Sequence, residues 1–286
     1  MKTKNSYKTI SMASMVVIAL LIGVMVGCQK EEDTYICNFE NPYDYVGNYH
    51  NEGLLYVLDK LKADNSIRLK SSEIDIEQAT CDLTREFCAQ NPLKGAHFSN
   101  ESLSASFQTV QNIRLKSTDS QHSDIRHIYH TKFEKILDNP DGCNSLFDVL
   151  NRIRIIEEEI FQSNMDVTDK EALLVTYAIG RNSLEFWLSL NKEACNVPRL
   201  KSGSEDSFLT WWTSNVMPAV RSVVTADFAG AAAGFLEGAI TGATGGTVLM
   251  PGVGSVTGAI VGGVGVAAAG AIYGSVIGGA LYYFQF

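Results

Sequence analysis

The chain has 286 residues, 45% of them hydrophobic and 19% charged, with a formal net charge of -9. That length suits one or two domains with a real core, and the acidic balance argues against a nucleic-acid partner, which needs a clustered basic face. No Walker loop, HExxH, GxSxG or paired CxxC is present, so no catalytic residue, cofactor or metal site is assigned and the chain reads as a non-enzyme.

The first element is a processing segment. Lys2, Lys4 and Lys8 form a basic start, and an apolar run from about Met12 to Val26 follows, too short and wrongly flanked for a spanning helix. It ends in Met25-Val26-Gly27-Cys28, which resembles the lipobox of bacterial lipoproteins. The resemblance implies a signal peptide over residues 1–27, removed before Cys28 takes up lipid. The next residues, Gln29-Lys30-Glu31-Glu32-Asp33, resemble the acidic export tag of Bacteroidota-type surface lipoproteins. The implied location is the outer membrane, lipid-anchored and facing the cell exterior, with residues 28–40 as an acidic tether. An oxidising envelope follows from export. Cys37, Cys81, Cys88, Cys143 and Cys195 are odd in number, so at most two disulfides form within the chain, and one or two are expected. On a helix Cys81 and Cys88 share a face but stand about 10 Å apart, too far to bridge each other.

Residues 41–200 read as an α-helical domain, a bundle with few period-two segments. Asn41-Pro42 starts a turn, and Leu54, Leu55, Val57, Leu58 and Leu61 then give a helical apolar face. This opening resembles a recurrent module of uncharacterised exported bacterial proteins, which carries no activity across. His50 reads as a capping or core residue. "CDLTREFCAQ" and "HIYHTKFEKIL" are further amphipathic pieces. Over 145–163, Leu146, Val149, Leu150, Ile153, Ile156 and Ile160 lie at helical spacing, with Glu157 to Glu159 expected to face solvent. Thr168-x-x-Glu171 predicts a capping box for the next helix. His122, His127 and His130 cluster near Asp124, but without an HExxH glutamate and beside loop-like flanks they are not assigned as metal ligands.

Arg-Leu-Lys-Ser occurs three times, beginning at Arg68, Arg114 and Arg199, each time before polar or acidic residues that read as exposed loop. Such loops are protease-prone. The third copy, with Arg199 and Lys201, sits where the helical domain gives way to an apolar tail and is the candidate cleavage linker.

Residues 205–286 read as a helical hairpin. Trp211, Trp212, Pro218 and Arg221 open it with a composition suited to a water–lipid boundary. Gly230, Gly234, Gly238 and Gly242 then recur every four residues. After a breaker over 245–252, Gly258, Gly262, Gly270, Gly274 and Gly278 resume the spacing, with Val266 in the skipped place, and Tyr282, Tyr283 and Phe284 close the chain. Each helical glycine costs about 1 kcal/mol relative to alanine, so nine on register need an offsetting gain. GxxxG packing in lipid supplies one. The second arm, Ser255 to Phe284, would be about 45 Å long and able to cross a bilayer. Glu237 lies on the glycine side of the first arm and should face a partner helix or a water-filled lumen.

The pattern resembles the glycine zippers of membrane-active bacteriocins, especially the two-peptide class, and of contact-dependent glycine-zipper toxins. The implied partners are a lipid bilayer, further copies through the glycine face, and an immunity protein. The implied function is antagonism by membrane permeabilisation, with the tail released or inserted. The alternative is a non-toxic envelope lipoprotein whose glycine-rich hairpin serves attachment or oligomerisation, or simply packs on the soluble domain. The fold expected overall is all-α: a helical bundle followed by a glycine-zipper hairpin.

Overall fold

A computed structural model describes residues 36–64, 73–93, 99–115, 124–190, 205–249 and 253–280. The fold is all-α, with no strand among the described residues and a helical hairpin at the C-terminal end. The helices are α1 (Asp44–Ala63), α2 (Glu73–Gln90), α3 (Asn100–Leu115), α4 (Asp124–Asp138), α5 (Leu146–Gln162), α6 (Val167–Leu190), α7 (Glu205–Trp211), α8 (Met217–Leu249) and α9 (Val253–Ser275). Residues Cys37–Phe286 form one unit.

Local chemistry sets the helix ends. Ser145 caps α5, its hydroxyl accepting from the Asp148 N–H at 3.2 Å, while Asp148 accepts from the Asn144 N–H at 2.8 Å. The capping box expected at Thr168 gives way to a simpler cap two residues earlier. Asp166 caps α6 by accepting from the Thr168 N–H at 2.8 Å, so Thr168 already lies inside the helix. A π-turn over Trp212–Val216 joins α7 to α8, with the Met217 N–H donating to the Trp212 carbonyl. Pro218 follows at once. It has no N–H to continue the α pattern, and the wider turn absorbs that gap. A second π-turn, Val276–Ala280, ends α9, and Gly279 there has φ +124°, a backbone conformation that favours glycine.

The apolar face expected on α1 is present at Leu54, Val57, Leu58 and Leu61, all buried, while Leu55, expected on the same face, is exposed. The α5 face of Val149, Ile153 and Ile160 is buried as well. Over 100–115 no strong helical period marks α3. There Leu103, Phe107 and Val110 make a thin apolar stripe, buried in the structure, among serines, glutamines and asparagines.

At the centre lies α9. Every residue from Val266 to Tyr273 is buried, and α1, α2, α3, α6 and α8 pack around the helix. α8 is also gripped by α6, α3 and α4. The hairpin and the helices before it therefore share one core. Trp211 and Trp212 belong to that core rather than to a boundary: the Trp212 ring is fully buried and its Nε1–H donates to the Leu137 carbonyl at 2.7 Å.

Cys37, Cys81 and Cys88 are buried thiols, so none of the expected bridges uses them; Cys28 and Cys195 lie outside the described residues. Burial pushes both the Cys81 and Cys88 thiols up to about 11.

Candidate functional site

The glycines of α8 and α9 face each other in strict antiparallel register. Gly242 lies against Gly258, Gly238 against Gly262, Gly234 against Val266, Gly230 against Gly270, and Ala226 against Gly274. Each step of four along one helix is matched by a step of four back along the other. At every level a glycine lies where a side chain would strike the partner's backbone. A methyl group at Gly270 would stand 2.5 Å from the Gly230 carbonyl oxygen, and one at Gly274 would stand 2.6 Å from that of Ala226. The interruption at Val266 is harmless, because Gly234 supplies the bare backbone at that level. Gly278 faces Ala226 as well, one turn beyond. All nine helix-packing glycines expected from the sequence thus lie on the hairpin's own seam.

Two helices here are long and apolar enough to cross a membrane, over Val220–Ala243 and Gly258–Gly279. In this fold the second is 89% buried, its lipid-like surface covered by protein.

Among the described residues the hairpin has one fully buried acid. Asp227, on α8, receives one hydroxyl on each carboxylate oxygen: Ser275 of α9 donates to Oδ1 and Ser183 of α6 donates to Oδ2. His50 of α1 is also fully buried and brings Nε2 to 3.6 Å from Oδ2, while its Nδ1 lies 2.9 Å from Asn51 Oδ1. His50 is therefore a core residue, as expected, but one aimed at a carboxylate. Serine, histidine and aspartate meet here without forming a nucleophile–base pair. Both hydroxyls are given to the carboxylate, neither to the imidazole, and all four side chains are buried from solvent. The arrangement holds four helices together.

Other polar ties flank this one. Thr109 of α3 donates to Glu237 Oε1 at 3.1 Å, so the acid on the glycine side does face a neighbouring helix. Gln111 donates to the Tyr273 hydroxyl at 2.7 Å, and Arg221 pairs with Asp138. Phe228 stacks on Phe133, with ring centroids 4.3 Å apart, and meets Tyr177 edge-on.

A second buried charge cluster lies away from the hairpin. Glu157, expected to face solvent, is fully buried. It accepts from Arg181 Nε at 3.2 Å and from Asn41 Nδ2 at 3.2 Å, and Arg181 also pairs with Asp44. The reason is spacing: Glu157 stands four residues after Ile153 and three before Ile160, on the buried face, while Glu159 is exposed and bonded to Lys132. Burial pushes the Glu157 carboxyl up to about 7, against the pull of Arg181 and Asn41.

Of the histidine group, His122 lies outside the described residues and His127 is exposed, while His130 sits 3.5 Å from Glu134 with its ring against Phe228. Among the described residues no group of three His, Cys, Asp or Glu is placed to hold a metal ion. Cys28, the tag Gln29–Asp33, and Arg199 and Lys201 of the linker lie outside the described residues, as does the first Arg-Leu-Lys-Ser copy. The second copy begins in the last turn of α3, not in a loop. Comparison with protein-family models, curated proteins and solved structures finds no match.

Proposed function

We propose that the protein is a bacterial surface lipoprotein that stores a membrane-inserting hairpin in its own core and uses it for bacteriocin-like permeabilisation of a neighbouring cell. The observation that carries this reading is the closed glycine seam. Each arm satisfies its backbone internally and each glycine is matched by the opposite arm, so the pair needs no shell helix to complete it. The uncharged run from Gly258 and the lipobox-like Met25–Cys28 point the same way. Self-association through the glycine face would require two chains to exchange arms, because each chain's own hairpin fills that face. The outer membrane, a lipid on Cys28, display at the surface and an immunity protein belong to the same proposal.

Cleavage at Arg199 or Lys201 would cut the chain between shell and hairpin. The test is dye release from liposomes by the mature chain, intact and after nicking with a protease that cuts at basic residues. Nicked chain is expected to release dye and intact chain to release far less. Nicked chain that leaves vesicles sealed, with Gly262→Leu behaving identically, removes the pore reading. The burial of α9 favours a second reading, in which the hairpin stays at rest as the core of a non-toxic envelope lipoprotein or serves its attachment. On that reading nicking alters fractionation and oligomer size but releases no dye.

A further inference from the structure

We propose that Asp227 is a proton-operated latch between the hairpin and its shell. The partners of this carboxylate divide in an informative way. Ser275 lies on the other arm and travels with the hairpin. Ser183 on α6 and His50 on α1 stay with the shell. Both carboxylate oxygens accept hydroxyl protons, which is how an ionised carboxylate is used. Among the described residues, the only charged group paired with Asp227 is His50. On α6, Arg181 is turned to Glu157, Asp44 and Glu185. On α4, His130 and Glu134 pair with each other beside Phe228, and Asp138 holds Arg221. α9 offers only the hydroxyl of Ser275, and on α8 itself Glu237 is two to three turns away, held by Thr109.

With one proton between them, as imidazolium and carboxylate, His50 and Asp227 attract each other across 3.6 Å. A second proton, taken from solvent, leaves a charged imidazole facing an uncharged acid in a dry core. That state has lost its attraction and keeps a buried cation in need of water. The strain falls between α1 and α8, across the hairpin–shell boundary. The same proton prepares the arm for lipid. Asp227 lies inside the apolar span Val220–Ala243, where a charge is costly. Once neutral, it still has Ser275 as a partner within the hairpin, so no bare polar group is carried along. The lipid half of this inference rests on the function proposed above; the latch itself does not.

The experiment is amide hydrogen exchange on the full mature chain, corrected for chemical exchange rate, at about pH 6.5 and about pH 3.5, a range that spans carboxylate titration. Protection over α8 and α9 is expected to fall on the order of tenfold in acid. Asp227→Asn should start with low protection at the higher pH and respond no further. His50→Gln, which cannot form the cation, should lose the acid response; it and the wild-type titration decide the matter even if the Asp227 variant does not fold. Asp82→Asn, at an exposed carboxylate of α2, should respond as wild type does. Unchanged wild-type protection, a normal acid response in His50→Gln, or loss of the response in Asp82→Asn would each overturn the latch. Parallel samples carry dye-loaded phosphatidylcholine–phosphatidylglycerol vesicles. Release that tracks the loss of protection supports both latch and function. Loss of protection without release upholds the latch and overturns the membrane reading.

Discussion

The hairpin has two kinds of interface, and they are built from opposite materials. Along the seam between α8 and α9 the contact is backbone on backbone: glycine meets carbonyl at each level. Toward the shell the contact is made by large side chains and a few polar ties, with Phe228 against Phe133 and Tyr177, and Asp227 against Ser183 and His50. The seam depends on absent side chains: at each level at least one arm is bare. The shell interface depends on side chains being present, and its polar part depends on their charge. The hairpin is thus held together by shape and held in place by chemistry, which allows the second grip to be loosened without the first.

The sharpest way to break this contrast is to put a side chain into the seam. Gly238→Leu would drive carbon into the Gly262 carbonyl, and backbone cannot step aside as a flexible side chain can. A loss of more than about 4 kcal/mol, or failure to fold, is expected by thermal and denaturant unfolding. A variant as stable as wild type would mean that the arms do not meet in this register. The shell side is tested by Phe228→Ala, which should cost about 3–5 kcal/mol in denaturant unfolding through the cavity left among Phe133, Tyr177 and Gly180. A cost under about 1 kcal/mol would place the grip elsewhere.

The smallest effect expected is pH-dependent and lies away from the hairpin. The Glu157 carboxyl, raised in the fold from its ordinary 4.5 to about 7, holds a proton that the unfolded chain has already released. Its contribution is complete below about pH 4.5 and is lost as pH rises toward about pH 7, so stability should slope downward across that window. Glu157→Gln should flatten the slope, an effect on the order of 1–3 kcal/mol. An unchanged slope would show that Arg181 keeps the carboxylate ionised throughout.

The helical class, the apolar faces of α1 and α5 and the zipper positions were all legible in the sequence, because period and spacing determine them locally. The pairing of Gly234 with Val266 was half legible: the skipped place was visible, its harmlessness was not, since that depends on what the other arm offers. The burial of α9 inside a protein shell was not legible. An uncharged apolar helix satisfies the same pattern whether hydrocarbon or leucine covers it. Glu157 misled because three adjacent glutamates read as one solvated patch, although its spacing from Ile153 and Ile160 placed it on the inner face. Asp227, Ser183, Ser275 and Arg181 were missed as site residues because their partners lie far away in the chain. The one signal in the sequence was that Asp227 and Glu237 are the last two charges of a largely apolar tail.

The position of α9 also bears on assembly. The ribosome makes this helix after each of the five that close around it, so those five cannot bury their inner faces until synthesis has reached the second arm. Earlier stretches must wait with sticky surfaces bare, a state open to aggregation and to chaperones. A chain that completes its interior only with its last long helix is kept from closing early by its own order of synthesis.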